Sequence, residues 1–421
     1  MSEPARTYAI VTLGCPKNEV DSDKLEGTLL ADGLAAVDEV GEADLVVVNT
    51  CAFIEEARAE SVDTILAVAA ARRPGAELVV TGCMAERHGA ELAAELGEID
   101  RIAPFGAALQ PSSAVPVTLG ATRRAPDFDL LNLPRPASAR PWAYVKIAEG
   151  CDRACGFCAI PTFRGPQRSR TIAQILTEVE QLDAREIVLV AQDLAAYGRD
   201  QGVGERAIVP LIEKVAAEVD RVRLLYLYPS DLDERLIDTI CATGVPYFDL
   251  SLQHVSPPLM RRMRRWGDGP RFLERIDAIR GREPDAAFRS NFIVGYPGET
   301  EADHDQLLGF VEAARLDWCG FFAYSKEDGT HAATLDGAVD PYLRDERLAE
   351  LRELQDAITA EKRDELIGRE VEVLVDEPGV GRTHREAPEI DGVVAVPQTL
   401  PVGSFTVVRI TGSLGPDLEG S

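Results

Sequence analysis

Three short apolar runs stand in the first hundred residues, at 8–13, 44–49 and 77–81, and none alternates with polar residues. Continuous runs of that length predict strands buried on both faces, as in parallel sheets. Helical patterns at 24–32 and 57–72 separate them, so this segment predicts an open parallel α/β sheet. Further on, apolar runs recur six times, at 142–147, 186–191, 222–228, 247–252, 288–294 and 318–324. Helical patterns lie between them, among them 172–183, 208–219 and 232–242. Six units are too few for the eight-fold barrel, and they predict an open, partial (β/α)6 barrel. A long amphipathic stretch at 345–366 predicts a helix that closes it. The last segment changes period. Its short runs at 370–375, 392–396 and 405–411 are punctuated by Gly379, Gly381, Pro397, Pro401 and Gly403, the pattern of a small antiparallel β-barrel. From 110 to 141 the chain is Pro-rich without a period, which predicts a linker. The expected division is therefore 1–125, a linker at 126–141, then 142–365 and 366–421.

Composition narrows the class. A chain of 421 residues with 45% hydrophobic and 27% charged residues suits a soluble protein of two or three domains. No apolar run approaches the roughly 18 residues of a membrane span. The start, 1–6, lacks a signal pattern. The expectation is a cytoplasmic protein with no membrane partner. In that reducing setting, spaced cysteines are metal ligands or catalytic groups sooner than disulfides. A formal charge of −27 argues against a surface that grips phosphate backbones. It favours an enzyme whose macromolecular partner, if any, is basic.

Six of the eight cysteines fall into two groups of three. Cys151, Cys155 and Cys158 form a C-x3-C-x2-C loop just after the first barrel strand, where barrels display their active-site loops. Cys15, Cys51 and Cys83 each follow the end of one of the first three strands. Ligands bind beyond the carboxyl ends of strands in open parallel sheets, so these three can converge. The alternative is three unrelated buried thiols, which leaves their common position unexplained. A four-iron cluster takes four thiolates, so each trio is one ligand short and leaves one iron open. A zinc knot needs a fourth ligand, yet the five histidines are scattered without metal-motif spacing. Cys241 and Cys319 read as ordinary buried thiols. The basic run 261–265 reads as a solvated helix face, with RNA contact as the alternative.

The segment 149–161, EGCDRACGFCAIP, resembles the cluster loop of the radical S-adenosylmethionine superfamily, with Phe157 as the aromatic before the third cysteine. Arg164-Gly165 and Ser169-Arg170 narrow the resemblance to the methylthiotransferases. The segment 12–23, TLGCPKNEVDSD, is similar to the signature of the RimO type, which modifies a ribosomal protein. The tRNA-modifying type more often has Gln-Met-Asn where this chain has Pro16-Lys17-Asn18. Further likeness lies at 225–232, 250–256, 292–301 and 322–330, and 381–392 is similar to the family's TRAM domain. Asp23, the stretch 195–198 and Ser290-Asn291 depart from the usual pattern without removing a cysteine.

The resemblance implies two 4Fe-4S clusters, an auxiliary one on Cys15, Cys51 and Cys83 and a radical-generating one on Cys151, Cys155 and Cys158. It implies S-adenosylmethionine as the cofactor, with Phe157, Gln192, Gly295 and Gly298 near its pocket. The two glycines serve equally well as turn formers, and Gln192 as an ordinary hydrogen-bonding group. The implied reaction replaces a C–H bond with C–SCH3 at an aspartate β-carbon of small-subunit ribosomal protein S-twelve. The implied partners are that basic protein, a low-potential electron donor such as ferredoxin or flavodoxin, and a sulfur source. Nucleic acid is not the expected substrate. From 366 to the end there are nine acidic residues against four basic ones, a net of −5. This suggests that Glu386, Glu389 and Asp391 dock the basic substrate. Competing readings are a tRNA adenosine methylthiotransferase, an RNA-binding module with a structural metal, and an electron-transfer iron–sulfur protein.

Overall fold

The computed structural model describes residues 5–109, 128–202 and 207–421. They form two compact units. The first holds Met1–Ala137, Tyr144–Asp152 and Ala159–Gln181, and the second holds Ser138–Ala143, Arg153–Cys158 and Leu182–Ser421.

In the first unit the chain runs β1 (Thr7–Thr12), α1 (Pro16–Ala31), β2 (Ala35–Ala36), β3 (Leu45–Thr50), α2 (Glu55–Ala71), β4 (Glu77–Gly82), α3 (Cys83–Glu95) and β5 (Arg101–Ala103). The strands lie in the order β2-β1-β3-β4-β5, and each neighbouring pair is parallel. All six residues of β3 are buried, because successive side chains point to opposite faces and both faces are covered. Val46 and Val48 pack with Ile65 and Leu92 on one face, and Leu45 and Val47 pack with Leu25 and Leu29 on the other. Helix α1 begins eight residues before the expected start at 24, because Pro16 suits the first helical turn.

Part of the expected linker is packed. Phe128 and Leu133 join the core with Leu25 and Leu29. Arg135 pairs with Asp23 at 2.7 Å and with Glu178 at 3.0 Å. Its prolines rule out regular strands and helices, not burial. Pro111, Pro116 and Pro126 lie outside the described residues, as do 1–4 of the expected signal-free start.

The six barrel strands occur where the pattern predicts: β6 (Trp142–Lys146), then, after the short antiparallel pair β7 (Ala148–Glu149) and β8 (Arg168–Ser169), β9 (Glu186–Val190), β10 (Arg221–Leu224), β11 (Tyr247–Gln253), β12 (Ala287–Val294) and β13 (Trp318–Ala323). In the second unit β9 pairs in parallel with β10, and β12 lies between β11 and β13. Strand β10 ends four residues short of the expected 228, because Tyr226 takes a left-handed backbone with φ 65°, which L-residues tolerate poorly within a strand. A single bridge, Leu227 to Leu250, continues the connection. The expected closing helix runs from Pro341 to Asp364. Among the described residues no helix is long and apolar enough to cross a membrane.

The terminal segment closes into a barrel of β14 (Glu370–Glu377), β15 (Val380–Arg382), β16 (Val394–Ala395), β17 (Phe405–Leu414) and β18 (Asp417–Gly420), in the order β14-β15-β16-β18-β17. It is antiparallel as expected except for β16 and β18, which pair in parallel.

This barrel is fastened to the rest of its unit by buried ions. Glu186, fully buried, accepts hydrogen bonds from Arg223 at 2.7 Å and Arg382 at 3.2 Å. Glu386 pairs with Arg363, and Asp391 pairs with Arg289 and accepts from the Tyr247 hydroxyl. The expectation that Glu386, Glu389 and Asp391 face a substrate is therefore corrected for Glu386 and Asp391. Glu386 and the Asp391 carboxylate are buried, whereas Glu389 is exposed in a surface pair with Arg140 at 2.6 Å. The net charge of the segment was legible, but not which carboxylates had internal arginines opposite them.

Candidate functional site

The strand order 2-1-3-4-5 reverses direction between β1 and β3, and such a switch point is where open α/β sheets bind their ligands. Cys15 follows β1 as the residue that caps α1, Cys51 follows β3, and Cys83 opens α3 at the end of β4. The three thiols converge there. Cys51 feels the charge of both Cys15 and Cys83, and Cys83 that of Cys15.

The surrounding polar groups fix the strand ends. The Asn18 amide donates to the Leu13 carbonyl at 2.9 Å and the Thr50 carbonyl at 3.0 Å. The Thr50 hydroxyl donates to the Thr81 carbonyl at 2.6 Å. Ser61 accepts from the Cys51 N–H at 3.1 Å and donates to the Cys51 carbonyl at 2.9 Å. Gly14 and Gly82, each just before a cysteine, have φ of 97° and 91°. A Cβ on Gly14 would stand 3.0 Å from the Cys51 sulfur, and one on Gly82 2.5 Å from the Thr50 carbonyl. Only glycine lets the backbone come that close.

The thiols are not equivalent. Burial opposes ionisation of Cys15, but Lys17, Arg164 and the N–H groups of Asn18 and Lys17 outweigh it and hold the thiol below its ordinary value. Burial pushes Cys51 up to about 11 and raises Cys83 as well. Metal ligation would have to supply the energy to ionise these two. Among the described residues no three histidine, cysteine or acidic side chains form a site for a single metal ion. The three thiols lie at the carboxyl ends of three neighbouring strands, framed by close-approach glycines.

The second cysteine group has members in both units. Cys151 belongs to the first, where it is buried and its N–H donates to the Gly165 carbonyl at 3.1 Å. Cys155 and Cys158 belong to the second and are half-buried. There the Arg265 guanidinium reaches the Cys155 sulfur at 3.4 Å. Thus part of the basic run 261–265 is engaged inside the unit, while Arg261 and Arg264 are exposed, as on the solvated face the sequence suggests.

Phe157 and the 295–298 turn come together: Phe157 packs against a buried cluster of Leu259, Met263, Tyr296 and Ala332. Both glycines have left-handed backbones, φ 80° and 85°. The Gly295 N–H donates to Glu299 at 2.7 Å and the Gly298 N–H to the Gly337 carbonyl at 2.6 Å. The turn-forming role is thus visible. Gln192 is half-buried just past β9, beside Asp193, which pairs with Arg153. Cys241 and Cys319 are half-buried rather than buried. Sequence reasoning passed over Asn18 and Arg164 as site residues. Asn18 lies in the quoted 12–23 signature and Arg164 in the quoted Arg-Gly pair, but neither motif gives their contacts.

Three family models match the chain: Uncharacterized protein family UPF0004 over residues 7–104, the radical SAM superfamily over 145–311, and the TRAM domain over 367–421. A protein of Cutibacterium acnes named ribosomal protein uS12 methylthiotransferase RimO is 41% identical, covering 98% of this chain and 97% of its own. One of the same name from Moorella thermoacetica is 42% identical, with 96% of each chain covered. The chain belongs to the RimO family. It is thereby a transferase of the radical SAM class, as the cysteine loop and the 12–23 signature suggest. Among solved structures, the radical S-adenosylmethionine methyltransferase TsrM from Kitasatospora setae aligns with a TM-score of 0.51 at 15% identity. That alignment covers 84% of this chain and 89% of TsrM, a likeness of fold alone.

Proposed function

We propose that this RimO-family enzyme methylthiolates the β-carbon of an aspartate in ribosomal protein uS12, in the cytoplasm. The convergence of Cys15, Cys51 and Cys83 at the sheet's switch point carries the reading, because a radical enzyme that transfers sulfur needs a sulfur site besides the one that generates the radical. Those three residues would hold the auxiliary 4Fe-4S cluster, and Cys151, Cys155 and Cys158 the radical-generating one. When bound, these clusters and S-adenosylmethionine supply the adenosyl radical, the methyl group and an open iron for sulfur.

The chain's own residues orient and exclude. Asn18, Thr50 and Ser61 fix the backbone on which the first trio stands. Phe157 packs with Tyr296 of the turn between Gly295 and Gly298, which supports assigning these residues, together with Gln192, to the S-adenosylmethionine pocket. An unactivated C–H bond offers no useful proton to a general base, so no carboxylate pair is assigned. We assign 1–125 to the methylthiotransferase domain, 142–365 to the radical SAM core and 366–421 to the TRAM domain. The electron donor is a low-potential protein of the ferredoxin or flavodoxin kind, and a separate sulfur source reloads the auxiliary site.

The names of the relatives and Pro16-Lys17-Asn18 support a protein acceptor over tRNA. Incubating the reconstituted, reduced enzyme with a uS12 peptide and with tRNA decides between them. A methylthio mass gain on an aspartate of the peptide is expected, and a gain on tRNA alone would overturn the assignment.

A further inference from the structure

Arg164 lies six residues beyond Cys158, yet its side chain ends among the N-terminal thiols. Its Nη2 is 3.0 Å from the Cys83 sulfur and 2.9 Å from the Asn18 side-chain oxygen. Its Nη1 donates to Asp21 at 3.1 Å and to Glu149 at 3.0 Å. The guanidinium lies over the Phe105 ring, 4.2 Å from its centroid, and the side chain is 3% exposed. All of these residues are in the first unit.

The two ends of the guanidinium do different work. Lys146 also pairs with Asp21 and Glu149, so the two carboxylates face two cations and Nη1 alone completes that set. Nη2 is not needed for it. It points instead at a cysteine sulfur and at the asparagine that holds two strand ends. Hydrogen bonds to the sulfurs of a cluster are among the features that set its potential. Partners outside the ligand set also orient the ligands. Through Glu149, two residues ahead of Cys151, the same side chain is joined to the start of the other cysteine loop.

We propose that Arg164 is a positioning residue for the auxiliary site: its Nη2 hydrogen bond to Cys83 stabilises the added negative charge of the reduced state, while Nη1 ties that site to the segment leading into Cys151. The proposal rests on the reading of Cys15, Cys51 and Cys83 as cluster ligands. A chain that carries Cys151→Ala, Cys155→Ala and Cys158→Ala isolates the N-terminal site for the test.

In that background, iron content and the reduction midpoint are measured by titration with electron paramagnetic resonance. R164M is expected to make the midpoint more negative, on the order of tenfold in the one-electron equilibrium constant, or about 59 mV. R164K, which keeps the cation, is expected to recover part of the shift. Should R164M fail to hold iron, the double variant R164M/E149Q removes the excess carboxylate charge, since Lys146 alone then faces Asp21. If it still differs from the Arg164 parent in iron or midpoint, the proposal stands. Parent-like iron and midpoint in R164M, or their full recovery in R164M/E149Q, would overturn it, because Arg164 would then serve only to neutralise Glu149. No iron in the triple-alanine parent itself would instead overturn the cluster reading, and the proposal with it.

Discussion

At the scale of single residues, the site depends on backbone geometry as much as on thiols. Gly82 makes the case. Its backbone, at φ 91° and ψ −164°, lies in a region that essentially only glycine occupies and that costs another residue about 1–3 kcal/mol, and a methyl group there would also run into Thr50. Gly82→Ala is therefore expected to lower the thermal midpoint and to lower the iron content of the site proposed at Cys15, Cys51 and Cys83. Unchanged values for both would show that the close approach is unimportant. For the proposed ligands, Cys51→Ala in the chain lacking Cys151, Cys155 and Cys158 is expected to abolish the brown chromophore, with retained absorbance as the contrary result. The thiols were legible in the sequence because each follows a strand. Asn18 and Arg164 were not, since their roles come from contacts at sequence separations of 32 and 81 residues.

At the scale of elements, apolar continuity gave the strands of the sheet and of the partial barrel, because a strand buried on both faces has no polar alternative. Charge was less informative. Glu386 and Asp391 looked like part of a docking surface, yet they fasten the terminal barrel. Burial works against the charge of Glu186, but Arg223, Arg382 and Arg221 outweigh it and hold its carboxyl at about 2. Glu386 is held at about 2 in the same way by Arg363 and Thr383. Both values lie below the ordinary 4.5. These ion pairs therefore stabilise fully above about pH 4.5, and their contribution is lost as pH falls towards 2. Acid titration followed by circular dichroism is expected to report a stability loss in that window. At neutral pH, Glu186→Gln leaves two buried arginines short of a partner and is expected to cost about 3–5 kcal/mol in denaturant unfolding. A change under about 1 kcal/mol, the range of exposed pairs, would contradict the fastening role.

At the scale of the whole molecule, a chain of net charge −27 is suited to meet a basic protein. The buried fastening of the terminal barrel removes Glu386 and Asp391 from that encounter and leaves Glu370, Glu377, Asp417 and Glu419 exposed. The acceptor is the central claim, and uS12 isolated from cells with and without this gene tests it most directly. Mass spectrometry is expected to find uS12 heavier by one methylthio group in place of hydrogen, on an aspartate, only where the gene is present. An identical uS12 mass in both strains would contradict the account.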